Sequence, residues 1–192
     1  MRPRRGASLA GVVGVLLAAW VPAAHAHKPS DSYLTLTVPA SGSVLEGQWD
    51  IALRDLDFVL GLDANHDGAI TWGELKAART RVADYAFSRL AIEGIGRGDR
   101  NTCPTRLTGL LVDEHVDGHY AVLRFNADCG LRATELSVHY RLLFEVDPTH
   151  RGLVRIIGAG GEQAAVLSRD APRASLSVSS PGRWQQLAAF VS

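Results

Sequence analysis

Residues 63 to 74 carry oxygen-bearing side chains at fixed intervals, in the order Asp-Ala-Asn-His-Asp-Gly-Ala-Ile-Thr-Trp-Gly-Glu. Side-chain oxygens stand at positions 1, 3, 5, 9 and 12 of this segment, and position 7 needs only a main-chain carbonyl. Position 6 is a glycine, which permits the sharp bend required there. The pattern is that of an EF-hand calcium loop. Its predicted ligands are Asp63, Asn65, Asp67, the backbone carbonyl of Ala69, Thr71 and Glu74.

A solvated acidic turn is the alternative interpretation of this segment, because Asp, Asn and Gly often cap their own backbone in turns. The match through position 12 favours a true divalent-cation site. Ligand number and loop flexibility favour Ca²⁺ over Mg²⁺. We expect His66 to point to solvent and Ile70 to anchor the loop to the core.

The flanking residues predict one helix after the loop and a shorter one before it. Thr71 and Glu74 have the spacing of a capping box. Apolar residues then recur at helical intervals from residue 72 to about residue 90, and residues 55–62 could form a stunted entering helix. With one loop of this type in the sequence, a structural or buffering ion is favoured over a calmodulin-like switch. The predicted buried stripe is Leu75, Ala78, Val82, Tyr85, Ala86 and Leu90.

The first 26 residues have the pattern of a secretory signal peptide. A basic start precedes a 13-residue apolar stretch, residues 9–21, and Ala24-His25-Ala26 is an acceptable cleavage site. The apolar stretch is shorter than the roughly 20 residues that a membrane-spanning helix needs. Loss of three arginines leaves 17 basic against 20 acidic residues. This balance gives no argument for nucleic-acid binding.

The two cysteines, Cys103 and Cys129, are predicted to form a structural disulfide. An even pair in an exported protein is most simply read in this way, and no Cys-x-x-Cys motif indicates redox or metal chemistry.

The remaining sequence has the period of β-strands. A long half-buried strand is predicted over 134–146, and a hairpin with arms at 107–116 and 119–126 around Asp117-Gly118. Further strands are expected at 33–38, 47–54, 152–158, 163–168 and 174–179.

These short strands predict a mainly β fold, an antiparallel Ig-like β-sandwich over residues 27–180. The EF-hand loop and one α-helix would be an insertion at about 55–95. Residues 181–192 would be a linker or the start of a membrane region.

Three further segments are residues 27–34 (HKPSDSYL), 49–56 (WDIALRDL) and 147–153 (DPTHRGL). They resemble the exported N-terminal region found ahead of the membrane domain in a subset of HupE/UreJ-like proteins, and the resemblance covers most of the chain after the signal peptide. Members of that group continue into several transmembrane helices, and some relatives are proposed nickel transporters. The resemblance therefore implies an accessory or sensor domain of a membrane protein. Since no membrane-spanning stretch follows before Ser192, either the sequence ends where the membrane region would begin or the domain acts alone.

Cleavage after Ala26 would expose His27 as an N-terminal copper- or nickel-type ligand, which is the competing metal hypothesis. The other histidines offer it little support. The predicted hairpin places His115 and His119 on opposite faces, and we expect His139 and His150 to lie at solvent-facing or turn positions.

No nucleophile elbow, zinc-protease motif or phosphate loop is present, so we expect no enzymatic activity. The sequence thus favours an extracytoplasmic Ca²⁺-binding domain. A calcium-stabilised surface interaction module is the third possibility.

Overall fold

The structure, a computed structural model, describes residues 30–178. The proposed signal peptide, His27 and residues 181–192 lie outside this range. The described elements are β1 (Asp31–Thr37), β2 (Val44–Ala52), α1 (Leu53–Leu60), α2 (Trp72–Ala77), α3 (Arg79–Phe87), β3 (Leu90–Gly96), β4 (Asp99–Thr102), β5 (Thr105–His115), β6 (Gly118–Asp128), β7 (Glu135–Tyr140), β8 (Arg151–Gly158), β9 (Gly161–Leu167) and β10 (Arg173–Ser177).

The strands form two sheets. The larger has the order β5-β6-β2-β1-β8-β9, and the smaller has the order β10-β7-β3-β4. Neighbouring strands run antiparallel except β1 and β8, which are parallel with Asp31 opposite Arg151 and Thr37 opposite Ile157. The prediction of a mainly β sandwich is confirmed. Its strands are not all antiparallel as predicted, because β1 and β8 pair in parallel.

One apolar core joins the inner faces of the two sheets. Side chains of β1 alternate between buried and partly exposed positions, as expected for a strand with one face in the core. The two sheets and α3 contribute to the same cluster of buried side chains. Its members include Leu34, Leu36, Trp49, Phe125, Ile92, Leu136, Val138 and Val82.

Three helices occupy the connection between β2 and β3, where one helix and a possible short entering helix were predicted. The entering helix exists as α1. The predicted helix over residues 72–90 is wrong as a single element, because the chain leaves helical geometry at Ala78 (φ −85°, ψ 2°) and residues from Leu90 onward form β3. The apolar stripe is nevertheless buried at Leu75, Ala78, Val82 and Ala86, so both short helices face the core.

The predicted strand over 134–146 is correct only as far as Tyr140. Leu142 and Leu143 are both buried although they are adjacent, which strand alternation does not allow. The backbone turns there with Leu143 at φ 61°, and the N–H groups of Val146 and Asp147 both donate to the Leu143 carbonyl.

The predicted hairpin forms from β5 and β6, but its turn lies one residue earlier. Val116 and Asp117 form the turn, and Gly118 pairs with His115. Strands β3 and β4 were not predicted, because Gly94 and Gly96 lower the strand propensity of their segment. A side chain at Gly94 would approach Cys129 at 2.9 Å, and one at Gly96 would approach the Arg132 carbonyl oxygen at 2.4 Å.

The predicted disulfide is confirmed between Cys103 and Cys129. Cys103 follows the edge strand of the smaller sheet and donates its N–H to the Ile92 carbonyl, whereas Cys129 follows β6 and donates to the Ser43 carbonyl. The bridge therefore ties the two sheets together. No helix within residues 30–178 has the length and apolar character needed to cross a membrane.

Candidate metal centre

The loop of residues 63–74 runs from the end of α1 into the start of α2. Gly61 ends α1 in left-handed geometry (φ 59°) and donates its N–H to the Asp57 carbonyl at 2.7 Å. The Asp57 carboxylate accepts the N–H groups of Leu62 and Asp63 at 2.6 and 2.9 Å. Since Leu62 is buried, Asp57 and the core together fix where the loop begins.

The first half of the loop folds around the oxygens of two predicted ligands. The Asp63 carboxylate accepts the N–H groups of Asp67 at 3.2 Å and Gly68 at 2.8 Å. The Asn65 side-chain oxygen also accepts from the N–H of Asp67, at 3.1 Å. Gly68 has φ 84°, the left-handed conformation for which glycine was expected at position 6.

The second half of the loop ends in the predicted capping box. The N–H of Glu74 donates to Thr71 Oγ1, and the Glu74 carboxylate accepts the N–H of Thr71 at 2.9 Å. Its other oxygen accepts the N–H of Ala64 at 3.0 Å. Hydrogen bonds from the Thr71 backbone and hydroxyl lower the pKa of Glu74. Glu74 thus joins the start of the loop to its end.

Ile70 and His66 lie as predicted. Ile70 is half-buried and packs against the core, whereas His66 is exposed. Residues 68–70 also line a hollow of about 450 Å³ together with residues 117–120 of the β5–β6 hairpin. The loop therefore lies beside the hairpin turn.

The donor set fits Ca²⁺ by its chemistry, because every predicted ligand offers oxygen and three are carboxylates. Among residues 30–178, no three His, Cys, Asp or Glu side chains are placed to hold a metal ion. The carboxylates of Asp63, Asp67 and Glu74 instead accept N–H groups of the loop itself. Direct coordination would require Glu74 to exchange its hydrogen bonds for the ion.

The hairpin histidines do not form a pair. His115 lies opposite Gly118 and His119 lies opposite Glu114, so the two imidazoles project to opposite faces as predicted. His139 is half-buried, and burial, followed by the charges of Arg173 and Arg141, lowers its pKa. His27 lies outside the described residues.

His150 is fully buried, which corrects the prediction of a solvent-facing position, whereas the alternative of a turn position agrees with its N–H donating to the Asp147 carbonyl at 3.2 Å. Its Nδ1 contacts Ser30 Oγ and its Nε2 lies 2.5 Å from the Tyr140 hydroxyl. The Tyr140 hydroxyl is also 2.6 Å from Ser32 Oγ, which accepts from Trp49 Nε1 at 3.1 Å.

A neutral imidazole satisfies both of its partners, because it carries one N–H donor and one acceptor nitrogen and each ring nitrogen meets one hydroxyl, that of Ser30 or that of Tyr140. Trp49 donates to Ser32 at the far end of this buried chain. Burial opposes the charged form and lowers the pKa of His150 to about 4.

Sequence reasoning missed this cluster because its members are spread over 120 residues of the chain. The short segment Ser30-Asp31-Ser32 was an available signal, but polar residues near a strand start are common. Comparison of the sequence with models of known protein families finds no match, and comparison with curated proteins finds no significant relative.

Proposed function

We propose that this chain is an exported calcium-binding domain whose site is the loop of residues 63–74. The observation that carries the proposal is the coincidence of an all-oxygen donor pattern with a loop already bent around its first donor. Asp63 accepts N–H groups at positions 5 and 6, and Gly68 supplies the left-handed bend. Two helices hold the ends of the loop, as an EF-hand requires.

Calcium bound here would offset the three clustered carboxylates and stabilise the folded state by mass action. The chain prepares for this in two ways, because Asp57 fixes the entry of the loop and Ile70 anchors its middle against the core. Glu74 closes the loop between Ala64 and Thr71 and would exchange these hydrogen bonds for the ion. Because extracellular modules bind Ca²⁺ at about 0.1 to 1 mM, weak affinity is expected.

An extracytoplasmic setting is supported by the signal-peptide pattern of residues 1–26 and by the disulfide. Disulfides persist in oxidising compartments and are rare in the cytosol. Together with the resemblance to the exported region of HupE/UreJ-like proteins, this favours an accessory or sensor domain that works beside a membrane-embedded partner.

Titration calorimetry with Ca²⁺, Mg²⁺, Cu²⁺ and Ni²⁺ on the chain processed after Ala26 tests the proposal. We expect one Ca²⁺ per chain, with binding lost in Glu74→Gln and retained in His27→Ala. Glu114→Gln is a matched control, since it removes an exposed carboxylate from the β5–β6 hairpin. At calcium about tenfold above the dissociation constant, the free energy of unfolding should rise by about 1.4 kcal/mol, and this gain should vanish in Glu74→Gln.

An absence of calcium binding at millimolar concentration would reduce the loop to an ordinary acidic turn. If copper or nickel then bound and His27→Ala abolished that binding, metal handling by the N-terminal histidine would replace the calcium proposal.

A further inference from the structure

The outer face of the six-stranded sheet carries a row of largely apolar residues that is exposed at its two ends and buried at Val122 and Asp50. This is the face turned away from the smaller sheet, because the alternate residues of the same strands form the core. The row crosses all six strands through direct neighbours, and at its two ends Leu111 is 43% and Val166 is 58% exposed. Its members in sheet order are Leu111, Val122, Asp50, Tyr33, Leu153 and Val166.

An apolar hollow of about 520 Å³ lies on this face, lined mainly by β1, β8 and β9. Its size suits a small organic ligand. Leu153, Val166 and Ala164 supply aliphatic surface on β8 and β9, and the rings of Tyr33 and His115 form the opposite wall. We call this the apolar hollow.

The aromatic wall is held firmly by its own contacts. The His115 ring stacks on Tyr120 with 4.1 Å between centroids and lies 5.2 Å from the Tyr33 ring. His115 Nε2 is 3.3 Å from an oxygen of Asp50, whose side chain is 10% exposed. Gln48 donates to the same carboxylate at 3.0 Å. The Asp50 carboxylate is therefore already paired with His115 and Gln48, and it is not available to a ligand in the apolar hollow.

A second hollow, of about 590 Å³, adjoins the first and is polar. The two hollows share Thr35 and Arg155. Arg124 faces the polar hollow from β6, so its lining includes two guanidinium groups and the carboxylate of Glu46. A second carboxylate, that of Glu162, lies beside Arg155. Arg155 lies 3.5 Å from Glu162 in a pair whose side chains are both about half exposed, which is a weak and exchangeable arrangement.

We propose that this face binds a small amphipathic anion of the medium-chain carboxylate class. The apolar body would lie in the apolar hollow against Leu153 and Val166, and the carboxylate would meet Arg155 and the Thr35 hydroxyl at the boundary between the hollows. Arginine binds carboxylates through charge-assisted hydrogen bonds. Among the described residues, Arg155 is the one Lys, Arg, Asp or Glu side chain that lines the apolar hollow, so a carboxylate head would take the place of Glu162 beside it, whereas a cationic head would face the guanidinium group. This inference is independent of calcium binding.

Titration of decanoate into the full chain, followed by calorimetry and by amide chemical shifts, tests the proposal. Decyltrimethylammonium is the matched ligand, with the same chain length and the opposite charge. Arg155→Gln removes the proposed head-group partner, and Val166→Asp places a charge in the apolar hollow at an exposed edge-strand position. The control is Arg100→Gln, which removes an exposed arginine paired with Glu93 on the other sheet.

We expect one decanoate per chain at this face, with shifts centred on residues 153–155 and 164–166. Affinity should fall about tenfold or more in Arg155→Gln, as for loss of a charge-assisted hydrogen bond, and in Val166→Asp, while Arg100→Gln should bind normally. The proposal would be overturned by equal affinity for the cationic ligand, by unchanged binding in both Arg155→Gln and Val166→Asp, or by no binding at millimolar decanoate. So would self-association that Val166→Asp abolishes, since a second copy of the chain would then cover the face.

Discussion

Acidification should destabilise this protein through the buried imidazole of His150. Its folded-state pKa of about 4 lies below the ordinary value of 6.5. The unfolded chain therefore binds more protons than the folded chain between these two values, and the free energy of unfolding falls as the pH falls through that window. Above the ordinary pKa the contribution of His150 to stability is complete.

The size of the effect follows from the two pKa values. Their separation corresponds to a limit of about 3.4 kcal/mol once both states are protonated. At about pH 5 the folded imidazole is still mostly neutral and the unfolded one is mostly charged, so about 2 kcal/mol should already be lost.

Urea unfolding at a series of pH values from about 7.5 down to about 4.5 measures this loss as a change in extrapolated stability. His150→Gln keeps a donor and an acceptor but cannot titrate. The variant should be less stable than the original chain at neutral pH. Its free energy of unfolding should change much less with pH than that of the original chain. His119→Gln is the matched control, since His119 is exposed, and it should retain the full dependence. Parallel pH profiles for the original chain and His150→Gln would refute the assignment.

Two further perturbations test the packing. Replacing Cys103 and Cys129 together by serine should lower the free energy of unfolding by about 3.5 kcal/mol in the chain-entropy description of a loop with a separation of 26 residues, and an unchanged urea midpoint would contradict the structural role. Gly152→Ala should cost about 1–3 kcal/mol, because the added carbon would lie 2.7 Å from the Tyr140 ring. Gly73→Ala, where the added carbon meets only Thr71 Oγ1 at 3.8 Å, should melt at or above the original temperature, and similar melting of the two variants would show that the Tyr140 contact relaxes freely.

Local chemistry made much of this molecule predictable from its sequence. The capping box of Thr71 and Glu74, the bend at Gly68 and the anchoring of Ile70 all depend on residues close in the chain, and all three are present. The alternation of apolar residues predicted most of the strands. The signal-peptide pattern supported the prediction of a disulfide between the two cysteines.

Long-range packing limited the prediction elsewhere. Beyond Tyr140 the alternation of apolar residues continues but the strand does not, because Leu142 and Leu143 both enter the core. His150 looked like a turn residue, yet its partners Ser30 and Tyr140 lie on other parts of the chain. Glu74 satisfies two patterns at once, the capping box and position 12 of the calcium loop, and sequence alone does not say which its carboxylate serves without metal.

The parallel pairing of β1 with β8 sets an order on folding. Tyr33 in the first strand lies opposite Leu153, so this central part of the larger sheet cannot close until β8 has been synthesised. Contacts of such sequence separation slow folding and leave strand edges open while they wait. The hydrogen bonds that shape the loop of residues 63–74 all come from residues 57–74, so the bend of this loop does not depend on β8. The nascent chain should therefore depend on protection of β1 from aggregation until β8 arrives.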